Sequence, residues 1–239
     1  MTTAEGWTAA VRDRLAPGRL LPLGAPEDGA WITERAVRTA LDEATAAVRG
    51  VAPGELRIDL AAEPGGDAGA ETGGGAGAGR VSGAFPVPPG GLPPGALRIS
   101  AGFGAVAGRP LTELAAELRT ALLTAAEEGL GLVVAAVDLR VTELLDAAPA
   151  HSGPAARPPG RTSPATDDPA ALAALRVEGV AAVTDTLGPP VHRAPGRVRI
   201  ELAVSAGHRP LDVARAVRNA VTAAAGEATA VTVLVSELR

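Results

Sequence analysis

One order of segments occurs twice in this sequence, and this repeat limits the fold more than any other feature. Four pairs of short segments match in the same order in the two halves of the chain. The matching pairs are 48–51 (VRGV) with 177–180 (VEGV), 97–99 (LRI) with 198–200 (VRI), 108–111 (GRPL) with 208–211 (HRPL), and 137–144 (VDLRVTEL) with 231–238 (VTVLVSEL). A repeat that returns in the same order predicts two copies of one supersecondary unit.

Hydrophobic periodicity assigns an element to each segment of the first unit. Apolar residues recur at helical spacing over 31–48, where Thr33 is a plausible N-cap, and again after residue 110. Alternating apolar and polar residues over 56–60, 97–103 and 137–142 predict half-buried strands. Each unit is therefore expected to run helix, strand, strand, helix, strand.

Six residues of the repeat have structural roles in this interpretation. Gly and Val end the first helix of each unit, and Pro presets φ for the first turn of the second helix. These residues are Gly50, Val51, Gly179, Val180, Pro110 and Pro210. They predict helix boundaries rather than chemistry.

The expected fold class is α+β, with two tandem small domains, each carrying a three-stranded sheet that has its helices on one face. Stretches dominated by Gly, Pro and Ala separate the periodic segments and predict flexible linkers. The expected divisions are an N-terminal helix and arm (1–30), a first domain (31–146) with a flexible insertion (61–95), a linker (147–168) and a second domain (169–239).

The N-terminal segment is predicted to contain a short helix around Trp7, Val11 and Leu15 and to dock on the first domain. The second domain has an Ala- and Val-rich core without an aromatic ring. A small domain with such a core has little stability to spare, so we expect the fragment from Asp168 to Arg239 to be marginal alone.

Composition removes several kinds of chemistry. The chain has no Cys, Lys, Tyr or Gln, and its basic side chains are all Arg, which is typical of a GC-rich genome. Without Cys and Lys there is no thiolate zinc site, thiol nucleophile, Schiff base or complete P-loop. No Ser-based elbow or paired acid and base is apparent. We therefore expect no catalytic residue, no metal site and no cofactor.

Charge and hydropathy exclude further classes. A net charge of −5 with scattered Arg residues argues against nucleic-acid binding. The most apolar stretch, 129–137, is too short to span a bilayer, and no signal peptide is apparent at the start. These features predict a cytoplasmic protein without a membrane span of its own.

Two kinds of candidate site remain. Alternation along the strands directs Arg98, Arg140, Arg199 and Leu234 away from the helices, as a candidate interaction surface. Alternatively, Arg109 and Arg209 stand at equivalent helix starts, where two guanidinium groups would contact an anion, although a solvated loop role explains them as well.

The repeat resembles the alkaline shock protein family of Gram-positive bacteria, also called the Gls-type general stress proteins. Residues 32–51 resemble the opening helix of that family, and residues 207–238 resemble its closing helix and strand. Family members usually carry one such domain, whereas this chain carries two. It therefore looks like a tandem, divergent member of the family, from a high-GC Gram-positive bacterium. The resemblance implies a non-catalytic, stress-linked cytoplasmic protein, in some members held near the membrane by a small membrane-embedded partner.

The expected function is thus a stress- or envelope-associated scaffold or adaptor that acts by protein–protein interaction, with self-association as a further expectation. The alternative is a small-ligand or anion sensor that uses the helix-start arginines.

Overall fold

The computed structural model describes residues 18–61, 85–147, 166–224 and 230–239. These residues form nine strands: β1 Leu20–Leu23, β2 Ala30–Thr33, β3 Val51–Leu60, β4 Leu97–Val106, β5 Val134–Leu145, β6 Val180–Val183, β7 Val191–Ala194, β8 Arg197–Val204 and β9 Ala230–Leu238. They also form four α-helices: α1 Glu34–Ala47, α2 Leu111–Leu123, α3 Pro169–Leu175 and α4 Pro210–Ala224. A 3₁₀ turn (Pro26–Asp28) and a π turn (Thr124–Leu130) complete the elements. The fold class is α+β, as predicted.

The strands form two sheets. The smaller sheet has the order β3-β4-β5, with β3 antiparallel and β5 parallel to the central strand. The larger sheet has six strands in the order β1-β2-β9-β8-β6, and β7 also pairs with β8. Within it, β6 and β7 run antiparallel to β8, whereas β9 runs parallel to it. The two halves of the chain therefore repeat the same pairing around β4 and β8.

The expectation of two three-stranded sheets is wrong for the second half. The hairpin of β1 and β2 adds to the second unit's sheet, because β2 pairs in parallel with β9 through Ala30 and Val233. The N-terminal arm does contact the first domain, since the Arg19 side chain donates to Ile58 O and to the Asp59 carboxylate, but its hairpin also joins the sheet of the second unit, which was not predicted. The physical reason is burial, since every residue of both hairpin strands is buried in this position.

The first predicted helix begins later than expected. Trp31 and Ile32 lie in β2, and α1 starts at Glu34. Thr33 is its N-cap, as predicted: the Thr33 hydroxyl accepts a hydrogen bond from the backbone N–H of Ala36 at 3.3 Å. The helix ends before Gly50, whose φ of +85° suits glycine.

The starts and ends of the later helices follow the motif with small differences. Pro210 is the first residue of α4, whereas Pro110 is the N-cap of α2. The second helix continues into the π turn and stops at Gly131, with φ of +92°. A Cβ at Gly131 would collide with Leu211 of α4, so this glycine lets the two halves approach closely.

The division into two separate domains is not confirmed. One continuous cluster of buried apolar side chains runs through both halves and includes Leu21, Leu41, Phe103, Leu118 and Val217. The backbone N–H of Gly24 in the arm also donates to Gly131 O of the first unit. Both units and the arm thus share one core.

Part of the predicted flexible insertion is packed. Leu20 of β1 donates its N–H to Gly90 O, and Leu92 donates its N–H to Leu20 O. The Phe85 side chain lies against Gly29. Residues 85–95 of the insertion are therefore a strap along the edge of β1, because their apolar side chains and backbone groups find partners there. The predicted N-terminal helix and most of both linkers lie outside the described residues.

Candidate protein-binding surfaces

The outer face of the three-stranded sheet is polar and open to solvent. It carries Arg57, Arg98, Ser100, Asp138 and Arg140, and the four charged residues of this set are exposed. We call it the open face. Arg98 donates to Asp138 at 2.8 Å across two neighbouring strands, and among the described residues Arg140 has no ion-pair partner. Two of the predicted interaction residues, Arg98 and Arg140, therefore lie together.

Strand periodicity explains why these side chains point outward. Alternate residues of β3 and β4 face the helices, where Leu56, Ile58, Leu97, Ile99 and Phe103 are buried. The residues between them must point to the other side. On that side the middle of the central strand contributes only the small residues Ser100, Gly102 and Gly104, which leaves it flat.

The corresponding face of the six-stranded sheet is covered. Leu20, Trp31 and Leu234 form a buried cluster on this face, and Phe85 of the strap and Leu187 pack against it. The Trp31 indole N–H donates to Leu92 O at 3.0 Å. Leu234 is only 2 % exposed. Its predicted role as part of an exposed interaction surface is wrong, because the N-terminal hairpin and the strap bury it.

A carboxylate lies buried on the same covered face. Glu201 of β8 is 2 % exposed and has no cationic partner among the described residues. It accepts hydrogen bonds from the Thr184 hydroxyl (2.8 Å) and from the backbone N–H groups of Thr186 (2.8 Å) and Leu187 (2.9 Å). These bonds hold the loop between β6 and β7 against the sheet.

The environment of Glu201 raises its pKa. Burial raises the pKa of this carboxyl, and it outweighs the hydrogen bonds from Leu187, Thr184 and Thr186, which act in the opposite direction. The pKa of Glu201 therefore lies above its ordinary value. A buried acid that anchors a loop in this way is a structural arrangement, and no second titratable side chain of the described ranges is hydrogen-bonded to it.

A small cavity lies where the strap crosses the covered face. Its volume is about 140 Å³, and it is lined by Leu20, Pro88, Gly90, Leu187, Arg199 and Leu234, among others. Arg199 has no ion-pair partner in the described part of the chain. The structure thus brings Arg199 and Leu234 together at this cavity, and it separates them from Arg98 and Arg140.

The two helix-start arginines already have partners within the chain. Arg109 donates to both carboxylate oxygens of Glu117, at 3.1 and 2.6 Å. Arg209 donates to Glu127 O at 2.7 Å and to Asp212 at 3.4 Å. The structure gives each guanidinium group a separate set of internal contacts and does not join them in one anion site.

The N-terminal arm is fastened to α4 by an ion pair that sequence reasoning did not find. Arg215 donates to both carboxylate oxygens of Asp28, at 2.8 and 2.9 Å, and the Asp28 side chain is 5 % exposed. Burial would raise the pKa of Asp28, but the hydrogen bonds from Arg215 and Ala25 outweigh it, so this pKa lies below its ordinary value. The sequence signal that could have placed the arm in the core is its two apolar runs, LLPL and AWIT, which are typical of buried strands.

Other site classes are not found in the described residues. In these ranges no group of three or more His, Asp or Glu side chains is arranged to hold a metal ion. None of the described helices is long and apolar enough to cross a membrane.

Comparisons with protein family models, with curated proteins and with solved structures found no match to this chain. Membership of the alkaline shock family remains a prediction.

Proposed function

We propose that this chain is a non-catalytic scaffold or adaptor that binds a protein partner through the open face of its three-stranded sheet. One observation carries the proposal: the outer face of the six-stranded sheet is covered by the chain itself, whereas the open face is left uncovered by every described residue. A face that a chain leaves open on one copy of a repeat, and closes on the other, is a candidate for contact with another molecule.

The chemistry of the open face favours a protein as the partner. It mixes Arg and acidic side chains, and Arg is enriched at protein interfaces because its planar group forms bidentate bonds and stacks on apolar surface. Gly102 and Gly104 lie in the central strand, and a Cβ at Gly102 would be 3.0 Å from the Thr142 methyl carbon. The middle of the face is therefore flat and accepts an equally flat surface.

A role in stress or envelope homeostasis belongs to the proposal through the family resemblance. The same resemblance makes a membrane-embedded protein the first partner to test, with the chain itself in the cytoplasm and held at the membrane by that partner.

Site-specific photo-crosslinking in native cells tests the proposal. A photoreactive residue replaces Ser100 on the open face and, as the matched control, Thr222 on the exposed side of α4. The expected result is one partner captured from Ser100, absent from Thr222, and reduced by Arg98→Glu. Separate membrane and supernatant fractions distinguish a membrane-embedded partner from another protein. Equal capture from the two positions, or none from Ser100, would contradict the proposal.

A second candidate function rests on the cavity at Arg199. A guanidinium group that has no ion-pair partner in the described ranges, beside an apolar wall, fits a small carboxylate with a short hydrocarbon group. An anion sensor would therefore use Arg199 rather than Arg109 and Arg209. A bound ligand at a hundredfold excess over its dissociation constant stabilises a protein by about 2.7 kcal/mol. Thermal unfolding with short-chain carboxylates, for the wild type and Arg199→Ala, measures this. No stabilisation of the wild type would exclude it.

A further inference from the structure

The strand β5 has a long unpaired edge. It contains 12 residues and pairs with β4 on one side only, at the end of the three-stranded sheet. In a parallel ladder, alternate residues bond to the neighbouring strand, so about half of the backbone N–H and C=O groups of β5 point away from β4. No described strand or loop pairs with them, although the Arg119 side chain donates one long hydrogen bond to Val137 O, at 3.4 Å. Such an edge is a template for one more strand.

Exposed apolar side chains also lie along this strand, between its exposed charged residues Asp138, Arg140 and Glu143. Val141 is 38 % exposed and Leu144 is 69 % exposed, and Val133, just before the strand, is 46 % exposed. Edge strands are normally shielded by charged side chains, by Pro or by a covering segment. The described part of the chain gives this edge no covering segment, so a partner strand would bury these side chains.

The sequence of β5 is complementary to itself when it is paired antiparallel about Leu139. In that register Val137 lies opposite Val141, and Asp138 lies opposite Arg140. The valines and Leu139 face the helix side, and the charged pair faces the open side, so each cross-strand pair shares one face. A centre at Asp138 or at Arg140 would place like charges opposite each other.

The backbone pattern agrees with the same register. Pairing about Leu139 places odd-numbered residues opposite odd-numbered residues, and even-numbered opposite even-numbered. The residues whose backbone N–H and C=O groups point to the free edge in one copy therefore lie opposite the equivalent residues of the other copy, and can form hydrogen bonds with them. The regular stretch of the β4–β5 ladder, from Ala136 to Val141, contains every pair that this argument uses. Both register shifts of β5 lie outside it.

We propose that two copies of this chain associate through β5, antiparallel about Leu139, to form one continuous six-stranded sheet from their two three-stranded sheets. This inference goes beyond the proposed function, because it needs no partner on the open face. A dimer of this kind presents two open faces side by side, and so doubles the surface that an adaptor offers.

The test uses charge reversal in the full chain. Arg140→Asp places an introduced aspartate opposite Asp138 twice in the dimer, since the two-fold axis repeats each pair. We expect its dimer dissociation constant, from sedimentation equilibrium, to rise at least about tenfold over the wild type. Asp138→Arg alone is expected to weaken the dimer similarly. The matched control is Arg57→Asp, on the other edge strand of the same sheet, which is expected to leave association unchanged.

Mixing the two weakened variants gives a result that a merely destabilised protein would not. In a mixed dimer, the two acidic side chains of the Arg140→Asp copy lie opposite the two arginines of the Asp138→Arg copy. The mixture is therefore expected to associate at least as tightly as the wild type. Circular dichroism spectra confirm that each variant is folded. A wild type that stays monomeric, a control as damaging as Arg140→Asp, or a mixture that fails to associate would each overturn the proposal.

Discussion

The two sheets carry the same repeat, yet their outer faces differ. In the three-stranded sheet the outer face of the central strand is open, with Arg98, Ser100 and Gly102 along it. At the matching positions of β8 the six-stranded sheet has Arg199, Glu201 and Ala203, and the last two are buried. Equivalent strands thus lie in different environments.

Segments from outside the repeat cause this difference. The N-terminal hairpin widens the second sheet, and the strap from the first unit's insertion covers its face together with the loop after β6. A repeat therefore fixes strand order and direction, whereas accessory segments decide which copy stays available for binding.

The largest expected effect follows from removing these segments from the second unit. The fragment 168–239 lacks the hairpin, whose Leu21, Leu23 and Ile32 are fully buried, and each such side chain contributes about 1.5–3 kcal/mol. We expect the fragment to unfold far below the full chain, or to be unfolded at room temperature, in thermal scans by circular dichroism. Equal melting temperatures for the fragment and the full chain would show that the second unit is stable without the hairpin and the strap.

The next effect concerns the aromatic residue at the centre of the covered face. Trp31→Ala removes a side chain that is 1 % exposed and leaves a cavity, so it should lower the free energy of unfolding by about 3–5 kcal/mol. Ser100→Ala on the open face should change it by less than about 0.5 kcal/mol. Urea denaturation measures both, and similar values for the two variants would remove the contrast between the faces.

A third effect compares the glycines that end the first helix of each unit. Both have positive φ, +85° at Gly50 and +88° at Gly179. A Cβ at Gly50 would have an ordinary contact, 3.6 Å from Leu114, whereas one at Gly179 would be 2.7 Å from Val213. Replacement by Ala should therefore lower the free energy of unfolding by about 1 kcal/mol at Gly50 and by about 2 kcal/mol or more at Gly179, as measured by urea denaturation. Equal losses of stability for the two variants would mean that the side chains around Gly179 move aside without a cost in free energy.

The smallest effect compares an ion pair whose carboxylate is buried with one whose two side chains are both exposed. Asp28→Asn removes the buried carboxylate that Arg215 contacts, and should cost about 1.5 kcal/mol. Asp138→Asn breaks the exposed pair with Arg98 and should cost at most about 0.5 kcal/mol. Urea denaturation at neutral pH distinguishes the two, and a larger cost at Asp138 would contradict the difference in burial between the two carboxylates.

The pH dependence of the Asp28 variant gives a second check. Because the pKa of Asp28 is lowered in the folded chain, its contribution is present above its unfolded value of about 3.9 and is lost as pH falls through the folded pKa. The stability difference between wild type and Asp28→Asn should therefore shrink over that acidic window. A difference that stays constant there would contradict the pKa assignment.

Much of the local structure could be predicted from the sequence. The alternation of Leu56, Ile58, Leu97 and Ile99 gave the strands and their faces, and Thr33 was identified as a helix cap, because these signals depend on neighbouring residues. The partner of the N-terminal hairpin could not be predicted, since a buried strand does not indicate which edge it joins.

The candidate site was predictable to the same extent. Period-two alternation correctly placed Arg98 and Arg140 on an outer face, and it placed Leu234 on the matching face of the other sheet. Whether that face is exposed to solvent depends on Trp31, about two hundred residues earlier in the sequence, and on the strap. Burial of an outer face is a tertiary property that alternation within one strand does not contain.

Thiol labelling tests the contrast between the faces most directly, because the chain has no Cys of its own. Ser100→Cys places one thiol on the open face, and Ala203→Cys places one on the covered face, where Ala203 is fully buried. With a maleimide reagent under native conditions, we predict rapid labelling of the first and protection of the second until the chain unfolds. Labelling of both at similar rates would contradict the account.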